Sequence, residues 1–211
     1  MGTKERRERE RVDTRERILA AAREMFAEEG YEAVTMRAIA ERIEYTPTAL
    51  YHHFPSKQAL LTELCESDFA GLAKHFQGAA GSADPVERLR AVGDAYLRFA
   101  EQYPSQYRFM FMTILPEIEH APDFLSAKRD NPEHSAYAFL RQACRDAIDK
   151  GRLRPEYADP DQVAQMLWAS VHGLISLQMA KRHDAFVPWR DLRKTTRLMI
   201  DTMTRGMLRT S

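Results

Sequence analysis

The chain has 211 residues, in which 31 lysine and arginine side chains balance 31 aspartate and glutamate side chains, so its formal net charge at pH 7 is zero. A globally basic surface is therefore excluded, and any affinity for nucleic acid must come from a local arrangement of side chains. No apolar run approaches the roughly 18 residues that span a bilayer, and the two cysteines match neither a metal site nor a redox pair, so we expect a cytoplasmic protein without a membrane partner.

Residues 1–12 form a weakly basic arm, with five basic and three acidic side chains between Lys4 and Arg11. Such an arm either contacts DNA phosphates or the minor groove, or it is a solvated and flexible terminus, and the composition leaves both open. The first helix is predicted to start at a capping box made by Asp13 and Glu16 and to end at Gly30.

The stretch from Thr35 to Lys57 predicts two short helices that are separated by a tight turn and followed by the start of another helix. Thr35 is a suitable N-cap for the first short helix. Thr46 is a second N-cap, and Pro47 follows at the first helical position, where its missing N–H costs nothing. This spacing is typical of a helix-turn-helix, and the residues predicted to face its core are Ile39, Ala40, Ile43, Leu50 and Phe54.

The outer face of the second short helix carries methyl, hydroxyl, phenol and imidazole groups, which suit base edges and phosphates in a major groove. No carboxylate lies between Tyr45 and Leu61. A polyanion therefore meets no repulsive charge along this edge. The residues of the face are Pro47, Thr48, Tyr51 and His52.

The residues from Thr14 to Leu64 resemble the DNA-binding domain of TetR-type bacterial transcriptional regulators, the TetR/AcrR family. The segment TRERILAAAREMFAEEGYEAVTMRAIAERI is similar to the first two helices of that domain, and TPTALYHHFPSKQALL is similar to its recognition helix and the start of its fourth helix. Glu44 stands in the turn where the family usually has glycine, and Thr48 stands where a small residue, often glycine, is found. A left-handed residue other than glycine costs about 1 kcal/mol, so we expect a slightly altered turn.

The resemblance implies a homodimer that inserts one recognition helix of each subunit into successive major grooves of double-stranded DNA, at an inverted-repeat operator. Arg37, Thr48 and His52 are expected to contact bases, and Pro47 is expected to contact a thymine methyl group. The alternative that His53 faces inward stays open. The residues expected to contact phosphates are Thr35, Thr46, Tyr51, His53 and Lys57.

Capping residues and prolines divide the rest of the chain into further helices, and no alternating strand pattern is present. The fold predicted is all-α, with an N-terminal helix-turn-helix domain at residues 13–57 and a larger C-terminal effector-binding and dimerisation domain at residues 58–211. The later helices are predicted at 56–75, 85–103, 104 onward, 131–151 and 159–182, followed by a last helix that begins after Pro188 and reaches 208, with a loop at 115–131.

The helix predicted from Asp159 is apolar on more than one face, so it needs two partners. One is the core of its own subunit, and the other is the same surface of a second subunit, with the last helix completing a two-fold four-helix interface. A helix packed wholly within its own subunit is the open alternative. The interface residues predicted are Leu167, Val171, Leu174, Leu192, Met199 and Met203.

The resemblance also implies a cavity among the middle helices, and an aromatic, polarizable lining there favours a hydrophobic or aromatic small-molecule effector. Aromatic and methionine side chains at helical spacing are also ordinary core, and that alternative stays open. No metal is expected at His172, because no other ligand type lies one turn away. The lining candidates are Tyr96, Phe99, Tyr107, Met110, Phe111, Tyr137, Phe139, Trp168 and His172.

The segment WASVHG at Trp168–Gly173 resembles a motif in the WHG subset of TetR-type C-terminal domains, together with YRFMF at residues 107–111. No glycine loop for phosphate, nucleophile elbow or HExxH motif is present, so no enzyme activity and no cofactor are expected. The function predicted is sequence-specific transcriptional regulation, and release of a repressor by its effector is the commoner outcome among such regulators. The alternative is a helical protein-interaction module of the same fold that does not bind an operator, for which Glu44 is the only hint.

Overall fold

The computed structural model describes residues 3–78, 81–116 and 130–209. Across these ranges the chain forms nine α-helices and no strand, with one isolated antiparallel bridge between Leu153 and Leu208, which confirms the all-α prediction. The helices are α1 (Thr3–Glu29), α2 (Met36–Arg42), α3 (Pro47–His53), α4 (Lys57–Gly78), α5 (Pro85–Gln102), α6 (Pro104–Met112), α7 (Ala136–Asp149), α8 (Pro160–Lys181) and α9 (Leu192–Met207).

The helices belong to two compact units, and neither unit is continuous in sequence. The first unit combines the chain up to Asp68 with a segment that begins at Pro104, so it contains α1, α2, α3, the first half of α4, and α6. The second unit contains Phe69–Tyr103 and the described residues from Asp130 onward, which include α5, α7, α8 and α9. Helix α4 thus contributes residues to both units.

In the first unit α1 packs against α2 and α6, and α2 packs against α3. The ring of Phe26 on α1 lies 6.3 Å from the ring of Phe109 on α6. The Arg23 guanidinium donates to both oxygens of the fully buried Asp68, at 2.7 and 2.8 Å, and Gln106 donates to one of them at 3.1 Å. A buried carboxylate is tolerated when it is paired in this way, so this network joins α1, α4 and α6.

In the second unit α5 packs against α7, α8 and α9, and α8 packs against α7 and α9. Helices α5 and α9 approach closely at Gly93, where a methyl group would lie 2.6 Å from Cδ1 of Ile200. Cys144 is buried in this unit and Cys65 is half-buried in the first. Burial raises the pKa of both thiols to about 12, so both stay protonated at neutral pH and are poor nucleophiles.

Several helix ends lie where the sequence places them. Asp84 Oδ1 accepts from the N–H of Val86 at 2.8 Å, and Asp159 Oδ1 accepts from the N–H of Asp161 at 2.9 Å. Gly30, with φ of +86°, follows the end of α1, and Gly151, with φ of +63°, follows the end of α7. These predictions are confirmed because each depends on hydrogen bonds or dihedral angles within one turn.

Two predicted helix starts are wrong. Helix α1 begins at Thr3 rather than at the Asp13 capping box, because charged pairs one turn apart, such as Arg11 and Glu8 at 2.7 Å, support a helix in the arm. Helix α7 begins after the N-cap Ser135, because the Asn131 side chain instead caps a turn by accepting from the N–H of Glu133.

Helix α9 follows Pro188 as predicted, and it begins after the N-cap Asp191, whose carboxylate accepts from the N–H of Lys194 at 2.7 Å. The loop predicted between residues 115 and 131 falls mostly on residues 117–129, which lie outside the described residues.

Candidate nucleic-acid interface

Helices α2 and α3 form the helix-turn-helix that the sequence predicts. Thr35 Oγ1 accepts from the N–H of Ala38 at 3.1 Å, and Thr46 Oγ1 accepts from the N–H of Ala49 at 3.2 Å. Between the helices Glu44 has φ of +61°, and it is the one residue other than glycine in the described ranges with a positive φ. The turn therefore keeps its left-handed residue although that residue carries a Cβ atom.

The two faces of α3 have opposite character. Leu50 and Phe54 lie one helical turn apart, and both are buried in the first unit. Pro47, Thr48 and Tyr51 are exposed on the other side, and so is His52. The exposed face has hydroxyl, phenol and imidazole groups and no carboxylate, so it presents hydrogen-bonding groups to a polyanion without repulsion.

The two capping threonines, Thr35 and Thr46, are exposed, and each uses its oxygen as an acceptor for the helix. A hydroxyl group that accepts in this way still has its own O–H to donate, so both residues retain a donor for a phosphate oxygen. Arg37 is 79% exposed and donates to Glu41 at 2.8 Å, which raises the pKa of Arg37 further. An exposed pair of this kind is weak and can exchange for a contact with DNA.

Lys57 and His53 are half-buried at the two sides of the α3–α4 junction. The Lys57 ammonium lies 4.0 Å from the centroid of the Tyr31 ring and 3.5 Å from the carbonyl oxygen of Glu32. Burial lowers the pKa of His53, and the nearby charge of Arg15 lowers it further. A neutral His53 can contact a phosphate only by donating a hydrogen bond, whereas Lys57 can also attract it as a cation.

The sequence did not single out two arginines of α1 that contact the helix-turn-helix. Arg15 donates to the carbonyl oxygen of His53 at 2.6 Å, and Arg17 donates to the carbonyl oxygen of Ile43 at 3.3 Å. Arg15 is 38 positions from His53 in the sequence, and Arg17 is 26 positions from Ile43. The only local sign of such contacts is a pair of arginines at i and i+2 in the TRER segment, which is too common to be informative.

Six of the nine predicted effector residues lie in the second unit. The Tyr96 hydroxyl lies 3.0 Å from Nδ1 of His172 and accepts from Nε1 of Trp168 at 3.2 Å. Burial lowers the pKa of His172, which favours the neutral ring. In the neutral ring Nδ1 can accept a hydrogen bond from the Tyr96 hydroxyl. Phe99, Tyr137 and Phe139 are the other members of this set. Tyr107, Met110 and Phe111 instead lie on α6 in the first unit.

A cleft of about 550 Å³ lies beside Trp168 in the second unit. The Tyr137 hydroxyl donates to Oδ1 of Asp161 at 2.8 Å and accepts from Gln165 at 3.3 Å. The rings of Tyr137 and Trp168 are 6.3 Å apart, so the cleft has an aromatic side and a hydrogen-bonding side. The residues that line it are Asp130, Tyr137, Arg141, Asp161, Gln165 and Trp168.

Models of two known domains match this chain. The model described as "Bacterial regulatory proteins, tetR family" matches residues 18–64, and the model described as "Tetracyclin repressor-like, C-terminal domain" matches residues 89–203, more than half of the chain. The chain belongs to the TetR family. The narrower resemblance of WASVHG to the WHG subset stays a prediction.

Relatives within the TetR family are similar over about two thirds of this chain. The "HTH-type transcriptional regulator UidR" of Escherichia coli K12 is 31% identical over 146 residues, which are 68% of this chain and 70% of that protein. The "HTH-type transcriptional repressor AcnR" of Corynebacterium efficiens is 30% identical over 145 residues, which are 69% and 71% of the two chains. The protein is thus a DNA-binding transcriptional regulator, and its family consists of regulators rather than enzymes.

Among solved structures, that of the TetR family transcriptional regulator PfmR from Thermus thermophilus superimposes with a TM-score of 0.72 and 25% identity, over 92% of this chain and 97% of that chain. TetR-family regulators bind DNA operators and form dimers. The superposition shows that this chain has the fold of the family, with an N-terminal helix-turn-helix and a helical C-terminal domain.

The predicted dimer residues of this TetR-family chain differ in their exposure. Leu167 and Val171 are buried within the second unit, so their side chains contribute to the core of the protomer itself. Leu174, Leu192, Met199 and Met203 are half-buried. The large apolar side chains that are exposed on these two helices are Met166, Trp168, Leu177 and Leu198, at 37%, 37%, 57% and 59% exposure.

Helix α8 has two adjacent apolar faces, and the period of 3.6 residues alone does not show which one is internal. The structure places the face that contains Leu167 and Val171 inside. The small residues Ala169 and Gly173 lie between Met166 and Leu177 on the outer face.

In the part of the chain that the structure describes, no group of three or more histidine, cysteine, aspartate or glutamate side chains is arranged to hold a metal ion. No described helix is both long enough and apolar enough to cross a bilayer.

Proposed function

We propose that this TetR-family regulator is a repressor that binds an inverted-repeat operator as a homodimer and is released from it by a small hydrophobic or aromatic effector. The exposed outer face of α3, which is free of carboxylates and capped at Thr46, is the observation that carries the proposal. Dimers of helix-turn-helix proteins bind two half-sites about one helical turn apart or further, so an inverted repeat is the matching DNA sequence.

Within this proposal residues 13–57 read the DNA and residues 58–211 bind the effector and form the dimer. Arg37, Thr48 and His52 contact bases, and Pro47 contacts a thymine methyl group. Phosphates are contacted by hydroxyl, imidazole and ammonium groups, and the residues with that role are Thr35, Thr46, Tyr51, His53 and Lys57.

The dimer uses the outer face of α8 together with α9, where Met166, Leu177 and Leu198 are exposed. Small residues between them allow the backbones of two α8 helices to approach closely. Leu174 and Met203 add their half-exposed surface. Replacing Leu198 with arginine is expected to produce monomers in analytical ultracentrifugation, whereas replacing the still more exposed Phe186 outside the helices is expected to leave dimers intact.

The effector binds among the aromatic side chains of the second unit, where the cleft beside Trp168 supplies both ring surface and hydrogen-bonding groups. An effector releases DNA only if it has different affinities for the DNA-bound and DNA-free conformations. Helix α4 contributes residues to both units and so is the element through which that difference acts.

The test is a selection of bound fragments from random duplex DNA by the purified protein at roughly 0.15 M salt. Enrichment of one inverted repeat is the expected result. If folded, dimeric protein enriches no sequence, the operator proposal fails and the helical interaction module becomes the better explanation, unless addition of effector candidates restores enrichment.

Two variants then separate base contacts from phosphate contacts. Lys57→Ala is expected to weaken binding to operator and random DNA alike and to lower the slope of log K against log salt by about 1. Thr48→Ala is expected to change the selected sequence and leave the slope unchanged. An unchanged slope for the first variant, or an equal loss on both DNAs for the second, contradicts the role assigned.

A further inference from the structure

Helix α1 contacts the chain just before the recognition helix α3 begins. Thr14 Oγ1 lies 3.3 Å from the hydroxyl of Tyr45, and the Arg17 guanidinium lies 5.4 Å from the centroid of the Tyr45 ring. Arg17 also donates to the carbonyl oxygen of Ile43 at 3.3 Å. Since Tyr45 directly precedes the N-cap Thr46, these contacts hold the first end of α3 against α1.

Arg15 contacts the other end of α3. Its Nη1 donates to the carbonyl oxygen of His53 at 2.6 Å, and its guanidinium lies over the ring of Phe54, 4.2 Å from the centroid. His53 is the last residue of α3, and its carbonyl is one of the groups that have no partner within the helix. Arg15 therefore caps the recognition helix from a different helix.

Glu63 on α4 fixes the orientation of the Arg15 guanidinium. Arg15 Nε donates to Oε1 of Glu63 at 2.7 Å, and Nη2 donates to Oε2 of the same carboxylate. Two parallel bonds to one carboxylate hold the planar group in a single plane, which a lysine could not achieve. Each of the three guanidinium nitrogens thus donates to the protein, two to α4 and one to α3.

We propose that Arg15 is a positioning residue for DNA reading, which fixes the orientation of α3 without contacting DNA. The proposal rests on the proposed operator binding. Helix α3 has only seven residues, so it is too short to be stable alone and its orientation depends on contacts at its ends. Base contacts by Thr48 and His52 need accurate hydrogen-bond geometry, whereas phosphate contacts by flexible side chains tolerate a small rotation.

Two variants test this role in the full-length protein. Arg15→Gln removes the guanidinium, and Glu63→Gln keeps the volume of its side chain but removes its charge and one of the two acceptor oxygens that hold Arg15. Both are expected to lower the preference for the selected operator over a random duplex of the same length by about tenfold, the discrimination of one good base contact. Neither variant is expected to change the salt slope on the random duplex, because no phosphate contact is lost.

A direct phosphate contact by Arg15 predicts the opposite pattern. Arg15→Gln would then lower the salt slope by about 1, and Glu63→Gln would free a cation and tighten binding to the random duplex. Either result overturns the proposal. If Arg15→Gln does not fold, the affinity of Glu63→Gln for the random duplex still decides between the two roles. Tighter binding there indicates a direct phosphate contact, and unchanged binding there with a lower operator preference indicates positioning.

Arg88→Gln is the matched control for a general loss of stability. It breaks the ion pair of Arg88 with Asp146 in the second unit, at 2.5 Å, where the two side chains are 21% and 28% exposed, against 33% and 32% for Arg15 and Glu63. This control is expected to leave operator preference unchanged. A similar loss of preference in Arg88→Gln would show that destabilisation alone explains the effect, and would overturn the proposal.

Hydrogen exchange gives a readout that needs no DNA. The amide protons from Tyr51 to Phe54, including the Phe54 N–H bonded to Leu50 at 3.0 Å, should exchange faster in Arg15→Gln and Glu63→Gln but not in Arg88→Gln. Unchanged exchange overturns the positioning role. If the unaltered protein selects no operator but exchange responds as expected, operator binding fails while the contact between Arg15 and α3 stands.

Discussion

Replacing Glu44 with glycine is expected to stabilise the protein, although it removes a side chain. Glu44 is exposed, has φ of +61°, and donates its N–H to the carbonyl oxygen of Glu41 at 3.1 Å. In this left-handed conformation the Cβ atom lies too close to the following carbonyl oxygen, and glycine has no such contact. The backbone hydrogen bond remains in the variant because it does not involve the side chain.

The magnitude follows from two opposing effects. Relief of the left-handed conformation contributes about 1–2 kcal/mol. The added flexibility of glycine in the unfolded chain costs about 0.4–1 kcal/mol. The net gain is therefore between about 0 and 1.6 kcal/mol and close to about 0.8 kcal/mol at the midpoints, which for a chain of this size corresponds to a rise of roughly 2 °C in Tm.

The assay is thermal unfolding at pH 7 and a fixed protein concentration, because dimerisation makes Tm depend on concentration. Glu44→Ala is the control, since it removes the same carboxylate but keeps the Cβ atom. Its Tm is expected to stay close to that of the unaltered protein. If Glu44→Gly is no more stable than Glu44→Ala, the strain argument is refuted, and any gain common to both comes from the charge.

Asp68→Ala leaves the Arg23 guanidinium, which is only 14% exposed, without its fully buried partner. It is expected to lower the free energy of unfolding by about 3–5 kcal/mol in urea titration, and a loss under about 1 kcal/mol would mean that the pair is not maintained in solution. Gly93→Ala should lower the free energy of unfolding by about 1–3 kcal/mol in the same titration, because the new methyl group overpacks the contact with Ile200. Gly71→Ala, where no atom lies within 4 Å of the new methyl group, should raise it by about 1 kcal/mol. Equal effects of the two substitutions would contradict the close approach at Gly93. Burial lowers the pKa of His172 below its ordinary value of 6.5, so as the pH falls the unfolded chain binds a proton first and stability is lost below about pH 6.5. His172→Gln should therefore lose less Tm between about pH 7.5 and about pH 5 than the unaltered protein, and equal losses would exclude His172 as the cause.

Features that depend on a few consecutive residues could be predicted from the sequence. The caps at Thr35 and Thr46 are three residues from the N–H groups that they accept, so their hydrogen bonds are local. Leu50 and Phe54 could be assigned to the buried side of α3 because the helical period places them one turn apart. The recognition motif is made of such features, and this explains why the sequence indicated the fold and the DNA-binding surface together.

Features that depend on distant residues could not be predicted in the same way. Arg15 and Glu63 are 48 positions apart, and no local pattern pairs one arginine of α1 with one glutamate of α4. The internal face of α8 is decided by the helices packed against it, and the sequence pattern alone places Leu167 on a dimer surface although its side chain is buried in the protomer. An asparagine cap and an asparagine turn have the same sequence pattern, so the pattern at Asn131 predicts a helix start where the structure has a turn.

The discontinuous first unit has a consequence for synthesis of the protein. Its helix α6 follows α5 in the chain, so Phe26 and Asp68 are made well before their partners Phe109 and Gln106. At about 5–20 residues per second, a ribosome needs roughly 2–9 s to proceed from residue 68 to residue 112. A DNA-binding segment cut at residue 68 and fused to a foreign partner would likewise lack α6, so exchange of this unit between regulators must carry two separate stretches of the gene.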